Sequence, residues 1–107
     1  MSRKLALLLL VLFLVALPLS SLAQDAAATF KGKCAMCHGP DGSGKTAMGE
    51  KFGIRDLRSA EVQKQTDAEL VQIVTKGKNK MPAYDGKLSK EQIDQLVAYV
   101  RDLGKKK

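Results

Sequence analysis

The sequence predicts an all-α domain, three to four helices wrapped around one covalently attached group. Three observations carry this: apolar residues at helical spacing behind recognisable caps, no segment that reads as a buried β-branched strand, and a paired-cysteine motif in a chain too short for a large core.

The first helix is predicted from about Asp25 through Cys34-Ala35-Met36-Cys37-His38, with Phe30 one turn before Cys34. Gly39-Pro40-Asp41-Gly42-Ser43-Gly44 breaks it. A long loop to about Leu57 follows, with a short helical turn near Ser59 to Lys64. Thr66 opens the second helix, Glu69 completes its capping box, Leu70, Ile73 and Val74 share one face, and Gly77 ends it. An extended segment is expected from Gly77 to Lys87. Ser89 and Gln92 cap the last helix, and Ile93, Leu96, Val97 and Val100 form a stripe before Gly104 stops it. That stripe is expected to pack on the first helix beside Phe30.

Cys34-x-x-Cys37-His38 is the attachment signature of a c-type haem. On a helix the two thiols share a face, so they can straddle one porphyrin and form thioethers with its vinyl groups, while His38 reaches the iron as a neutral imidazole. A redox Cys-x-x-Cys would want a parallel βαβ setting. A structural zinc site needs four ligands, and the chain holds two Cys and one His. A Cys34–Cys37 disulfide would close too short a loop to constrain the unfolded chain much. Haem attachment is therefore the reading adopted.

Electron transfer without ligand binding needs both axial positions of the iron filled, and His38 is the sole histidine. Met36 sits inside the attachment turn and cannot reach the far face of the ring. Met48 and Met81 remain. Met81 is the better candidate, because Pro82 in Lys80-Met81-Pro82-Ala83-Tyr84 cannot continue a helix and keeps it on a constrained extended segment, far enough from His38 in sequence to cross to the opposite face. Met48 reads as loop packing.

Arg3 and Lys4 precede an unbroken apolar run from Leu5 to Leu17, and Ser21-Leu22-Ala23 offers small residues where a signal peptidase reads. Thirteen residues reach only about 20 Å as a helix, short of the roughly 30 Å hydrocarbon layer. The expectation is a cleaved secretory signal over 1–23 and one domain over 24–107, soluble in the periplasm, neither spanning a membrane nor lipid-anchored. Those 84 residues have no Trp and four aromatics, Phe30, Phe52, Tyr84 and Tyr99, so a buried porphyrin would supply interior surface the side chains lack. The whole chain carries +7, and loss of Arg3 and Lys4 leaves +5. Without a basic stripe interleaved with aromatics, that charge points to an acidic protein partner and not to nucleic acid. Lys105 to Lys107 read as a solvated tail.

Gly39 to Thr46 matches the phosphate-loop pattern G-x-x-x-x-G-K-[ST] literally. It is rejected, because no strand precedes it and the chain is too short for a nucleotide-binding α/β domain. Its glycines are expected to let the backbone turn past the haem edge.

Phe30, Cys34-x-x-Cys37-His38-Gly39, Lys80-Met81-Pro82-Ala83-Tyr84 and Leu96-Val97-Ala98-Tyr99-Val100, in this order, resemble class I cytochrome c in its short bacterial, cytochrome c6-like form. The resemblance implies an all-α class I cytochrome c fold around one covalently bound haem c, first and last helices crossing near Phe30 and Tyr99, and service as an electron carrier. It departs from the family in three places. Ala26 stands where Gly is common at the helix crossing. No Pro lies about a dozen residues after His38 to accept its ring N–H, so a carbonyl within Thr46 to Met48 is expected instead. No Trp holds a propionate, which leaves Arg55 or a loop amide.

The functional expectation is a one-electron carrier and not an enzyme, with Cys34, Cys37, His38 and Met81 binding the haem and His38 and Met81 its iron. Lys33 and Lys80, with Lys31, Lys45, Lys78 and Lys87, would form a positive rim for redox partner proteins with acidic docking surfaces. Two other classes stay open: a small peroxidase or gas sensor if Met81 is labile, and a haem subunit attached to a larger oxidoreductase.

Overall fold

The computed structural model describes residues 20–106, with side chains from Asp25 onward. The apolar run Leu5–Leu17 lies outside the described residues, and the expected cleavage after Ala23 falls in the first turn of the first helix. Six helical pieces follow: α1 (Ser20–Lys33), α2 (Ala35–His38), α3 (Ala47–Phe52), α4 (Ala60–Gln63), α5 (Asp67–Lys76) and α6 (Lys90–Lys105). Among the described residues there are no strands, only two isolated bridges, Lys78 with Met81 and Asp85 with Leu88.

Helices α1, α5 and α6 are the three read from the sequence, except that the first begins at Ser20 and is broken at Cys34 where the sequence predicts one helix through His38, and α4 is the expected short turn. Packing of α6 on α1 is the main tertiary contact. Phe30, 2 % exposed, is its centre, with the Tyr99 ring 5.1 Å away between centroids. Leu88, Ile93, Leu96 and Leu103 complete this cluster, and a second one joins Val62, Leu70 and Val97 beneath α5. Burying side chains of this kind stabilises by about 1.5–3 kcal/mol each. Ala26 is buried in α1.

The caps explain most boundaries. Ser89 and Gln92 satisfy each other's backbone N–H reciprocally. At α5 only half of that motif forms: the Thr66 hydroxyl accepts from Glu69 N–H and donates to the Glu69 carboxylate, leaving its own N–H outside the box. Gly77, at φ 77°, ends α5 as expected.

Four expectations are corrected. The loop to Leu57 contains α3, whose Thr46 cap accepts from Gly49 N–H. Gly104 does not stop the last helix, which runs to Lys105; a Cβ there would lie 2.5 Å from Gln63 Cδ and would displace that side chain. Residues 77–88 are two tight turns and not an extended segment. The glycines at 42 and 44 do not edge the cavity described below: a Cβ on Gly42 would meet Leu103 at 3.0 Å, and one on Gly44 the Ile54 carbonyl at 2.8 Å. Among the described residues the element before this loop is the helix α2.

Long side chains tie the pieces together. Arg101 on α6 donates to the Gln63 carbonyl at 2.7 Å and to the Gln65 carbonyl, and pairs with Asp67 at 3.0 Å. Gln63 in turn donates to the carbonyls of Leu57 and Val100. The α4–α5 junction is thereby fixed against the last helix.

Candidate haem-binding site

The attachment motif grows out of α1. Cys34 interrupts the helix at φ −115°, but its N–H still donates to the Phe30 carbonyl, and His38 N–H donates to the Cys34 carbonyl. The cysteines therefore stay on one turn. Thr46 fastens this turn to α3: its hydroxyl donates to the Cys37 carbonyl at 2.8 Å and accepts from Gly49 N–H at 2.8 Å.

Cys34, Cys37 and His38 line a cavity of about 320 Å³, within the range of ligand pockets. Its walls are mainly apolar: Phe30, Leu57, Val62, Leu70, Ile73, Val74, Leu96, Val97 and Val100. Met81 lines the same cavity and Met48 does not. Arg55 and three rim lysines, Lys33, Lys78 and Lys80, are also at its wall, whereas Lys31 and Lys45 are not. Lys87 lies near it, 5.8 Å from the Tyr84 ring centroid.

Met81 is held by backbone geometry. Lys78 and Met81 exchange both N–H···O bonds, at 3.1 and 2.9 Å, around Asn79, which takes a left-handed φ of 55° that Asn tolerates. Gly77 must lack a side chain, since a Cβ would sit 2.6 Å from the Met81 carbonyl. Tyr84 then latches the segment to α1, donating its hydroxyl to the Lys33 carbonyl at 3.2 Å. Burial raises the Tyr84 pKa, so the phenol is a donor. Tyr84→Phe is expected to cost about 1 kcal/mol in thermal unfolding and to speed amide exchange at Met81 and Tyr84.

The electrostatics suit a haem tether better than a thiol redox pair. Burial pushes the Cys34 thiol up to about 11, against the opposing pull of Lys33, whereas redox Cys-x-x-Cys motifs depress a thiol pKa. Burial also lowers the His38 pKa, which favours the neutral imidazole that binds iron.

Two residues of this wall each keep one buried side-chain atom without a hydrogen-bond partner, His38 Nδ1 and Gln65 Oε1. The expected acceptor for His38 within Thr46 to Met48 is not formed. A mainly apolar wall that carries both cysteines and the histidine, with cations at its rim, fits a large, flat, mostly apolar group bearing a few acidic ones. The residues present thus fit a haem. Sequence reasoning missed Phe52, Ile54 and Gln65 as wall residues, because they lie in or beside short elements with no periodicity to read.

The comparisons with known proteins agree with this geometry. Residues 21–100 match the family model described as cytochrome C oxidase, cbb3-type, subunit III. The chain is 39% identical over 92 residues to cytochrome c6 of Thermosynechococcus vestitus, covering 83% of this chain and 80% of that one. It is 38% identical over 96 residues to the cbb3-type cytochrome c oxidase subunit CcoP of Azospirillum brasilense, of which it spans 32%. Among solved structures, the KustC0563 c-type cytochrome superposes with a TM-score of 0.69 at 32% identity, over 74% of this chain and 96% of that one. The chain belongs to the cytochrome c family, a family of electron-carrying domains with one covalent haem c.

Proposed function

We propose that this chain is an exported, soluble one-electron carrier whose haem c is tethered by Cys34 and Cys37, with His38 and Met81 as iron ligands. The observation that carries the reading is one cavity wall bringing together both cysteines, the sole histidine and Met81, to the exclusion of Met48. When bound, the haem supplies an iron centre that alternates between Fe(II) and Fe(III). The protein's part is to hold that geometry constant. The Thr46 bridge, the Lys78–Met81 turn and the Tyr84 latch fix the segments carrying the ligands, so little has to rearrange at each transfer. The apolar wall excludes water. No substrate needs to bind.

In this reading residues 1–23 are a cleaved signal and 24–107 the periplasmic carrier. Among the described residues no helix is long and apolar enough to cross a membrane. Mass spectrometry of the exported protein under denaturing conditions is expected to give a chain from Gln24 plus one haem. Haem that extracts into acid solvent overturns the tether.

The partner proposed is a redox protein with an acidic docking face. Lys33, Lys78 and Lys80 are exposed at the cavity wall and, among the described residues, form no ion pair. Lys33→Glu with Lys80→Glu is expected to slow association about tenfold at low salt, and raising salt to 1 M, where the Debye length is about 3 Å, is expected to erase the difference. Stopped-flow electron transfer checks both.

The resemblance to CcoP favours one second reading, a haem module held by a larger oxidoreductase. It requires the native chain to co-purify stoichiometrically with other subunits, where a carrier runs as a small free protein.

A further inference from the structure

We propose that Thr46 is a positioning residue for the iron-ligating imidazole, a role that rests on the haem reading above: acting through the Cys37–His38 peptide, its hydroxyl sets the plane in which His38 presents its ring. A metal-bound histidine ordinarily has its orientation fixed by an acceptor on the ring nitrogen that does not bind the metal. His38 has no such acceptor. Its Nδ1 is enclosed and unpartnered, which leaves Nε2 as the nitrogen for iron. Phe30 lies 6.5 Å from the ring between centroids, tilted by 35°, an apolar contact that bounds the ring without fixing its plane.

The orientation therefore has to come from the backbone, and both peptides flanking His38 are held. His38 N–H donates to the Cys34 carbonyl at 2.9 Å, and the His38 carbonyl accepts from Gly44 N–H at 2.6 Å. The Cys37 carbonyl is one that a helix end leaves without an intrahelical donor, since α2 stops at His38. Among the described residues no backbone N–H reaches it, and the Thr46 hydroxyl is its donor at 2.8 Å. This oxygen belongs to the peptide that joins a tethering cysteine to the ligating histidine. With the Cys37 sulfur and the His38 ring anchored on one haem, turning that peptide turns the ring. The same hydroxyl accepts from Gly49 N–H at 2.8 Å, so α3 is the body against which the peptide is held.

The test is the proton NMR spectrum of the ferric, haem-loaded protein, in which the paramagnetic shifts of the haem ring-methyl groups follow the planes of the axial ligands and not the stability of the fold. Thr46→Val removes the hydroxyl and keeps the branched shape. Thr46→Asp keeps an acceptor for Gly49 N–H, and aspartate is a good N-cap, but it has no proton to give the Cys37 carbonyl. It stays readable if the Val variant folds poorly. Both are expected to change the order or spread of the ring-methyl resonances, whereas Thr46→Ser, which keeps donor and acceptor, is expected to leave the unmutated pattern. The far-red ferric band is expected in all three, since Met81 is untouched.

An unmutated pattern in Thr46→Val and Thr46→Asp makes Thr46 a helix cap alone and overturns the proposal. A pattern changed by Val but not by Asp also overturns it, because the cap and not the donor is then what matters. So does a pattern that Ser fails to preserve, or a change that comes only with loss of the far-red band, which would report Met81 instead. Absence of covalent haem from the unmutated protein would defeat the reading on which the proposal rests.

Discussion

Met81→Ala is expected to abolish the far-red sulfur-to-iron band of the ferric protein, lower its potential and create peroxide turnover. Met48→Ala is expected to do none of these. The contrast follows from placement: Met81 is on the cavity wall with His38, pinned by two backbone bonds to Lys78 and by the close approach of Gly77, whereas Met48 lies in α3 and off that wall. Thioether sulfur favours Fe(II), so its loss moves the potential down. That Met/His ligation raises the potential is known of cytochromes c, so this direction comes from the family and not from the geometry. The shift is expected on the order of 100 mV, within the roughly 0.8 V that axial ligands command. Visible spectra, redox titration and a peroxidase assay on both variants check it. Equal effects at Met48 and Met81 would contradict the ligand assignment.

Gly49→Ala is expected to destabilise by about 2–3 kcal/mol, the reverse of what a glycine inside a helix ordinarily gives. Replacing such a glycine by alanine usually gains roughly 0.5–1 kcal/mol. In α3, however, a Cβ on Gly49 would collide with the Gly44 carbonyl oxygen and stand 2.6 Å from that of Cys37. Both obstacles are backbone. The Gly44 carbonyl is held by Thr46 N–H and the Cys37 carbonyl by the Thr46 hydroxyl, so neither can swing aside cheaply. Gly32→Ala in α1 is the control, since nothing lies within 4 Å of its Cβ; it is expected to raise the melting temperature while Gly49→Ala lowers it by on the order of 10 °C.

Where sequence signals were chemical and local, the fold was legible. Cys34-x-x-Cys37-His38 is a local signal read from its spacing, and Ser89 with Gln92 marks the start of α6 by the hydrogen bonds it forms. Ile93 and Leu96 of the last-helix stripe found their partner on α1 because Phe30 was the one large ring available there, whereas Val97 packs with Val62 and Leu70 beneath α5. Met81 was ranked above Met48 on Pro82 and on its distance from His38 in sequence. What was not legible depended on contacts distant in sequence. Helix α3 spans six residues with no apolar repeat, and its Thr46 cap lacks a Glu or Gln three residues on. Gly104 looked like a terminator, yet the helix runs through it, against the Gln63 side chain forty-one positions earlier. Gly42 and Gly44 looked like a bend around a cofactor, but they make room for Leu103 and for the Ile54 carbonyl.

The central claim is that the iron is closed on both faces in the unmutated protein, which makes it a carrier and not a peroxidase or gas sensor. Carbon monoxide titration of the ferrous protein tests it most directly. The account expects little binding under conditions where Met81→Ala binds readily; avid binding by the unmutated protein would contradict it.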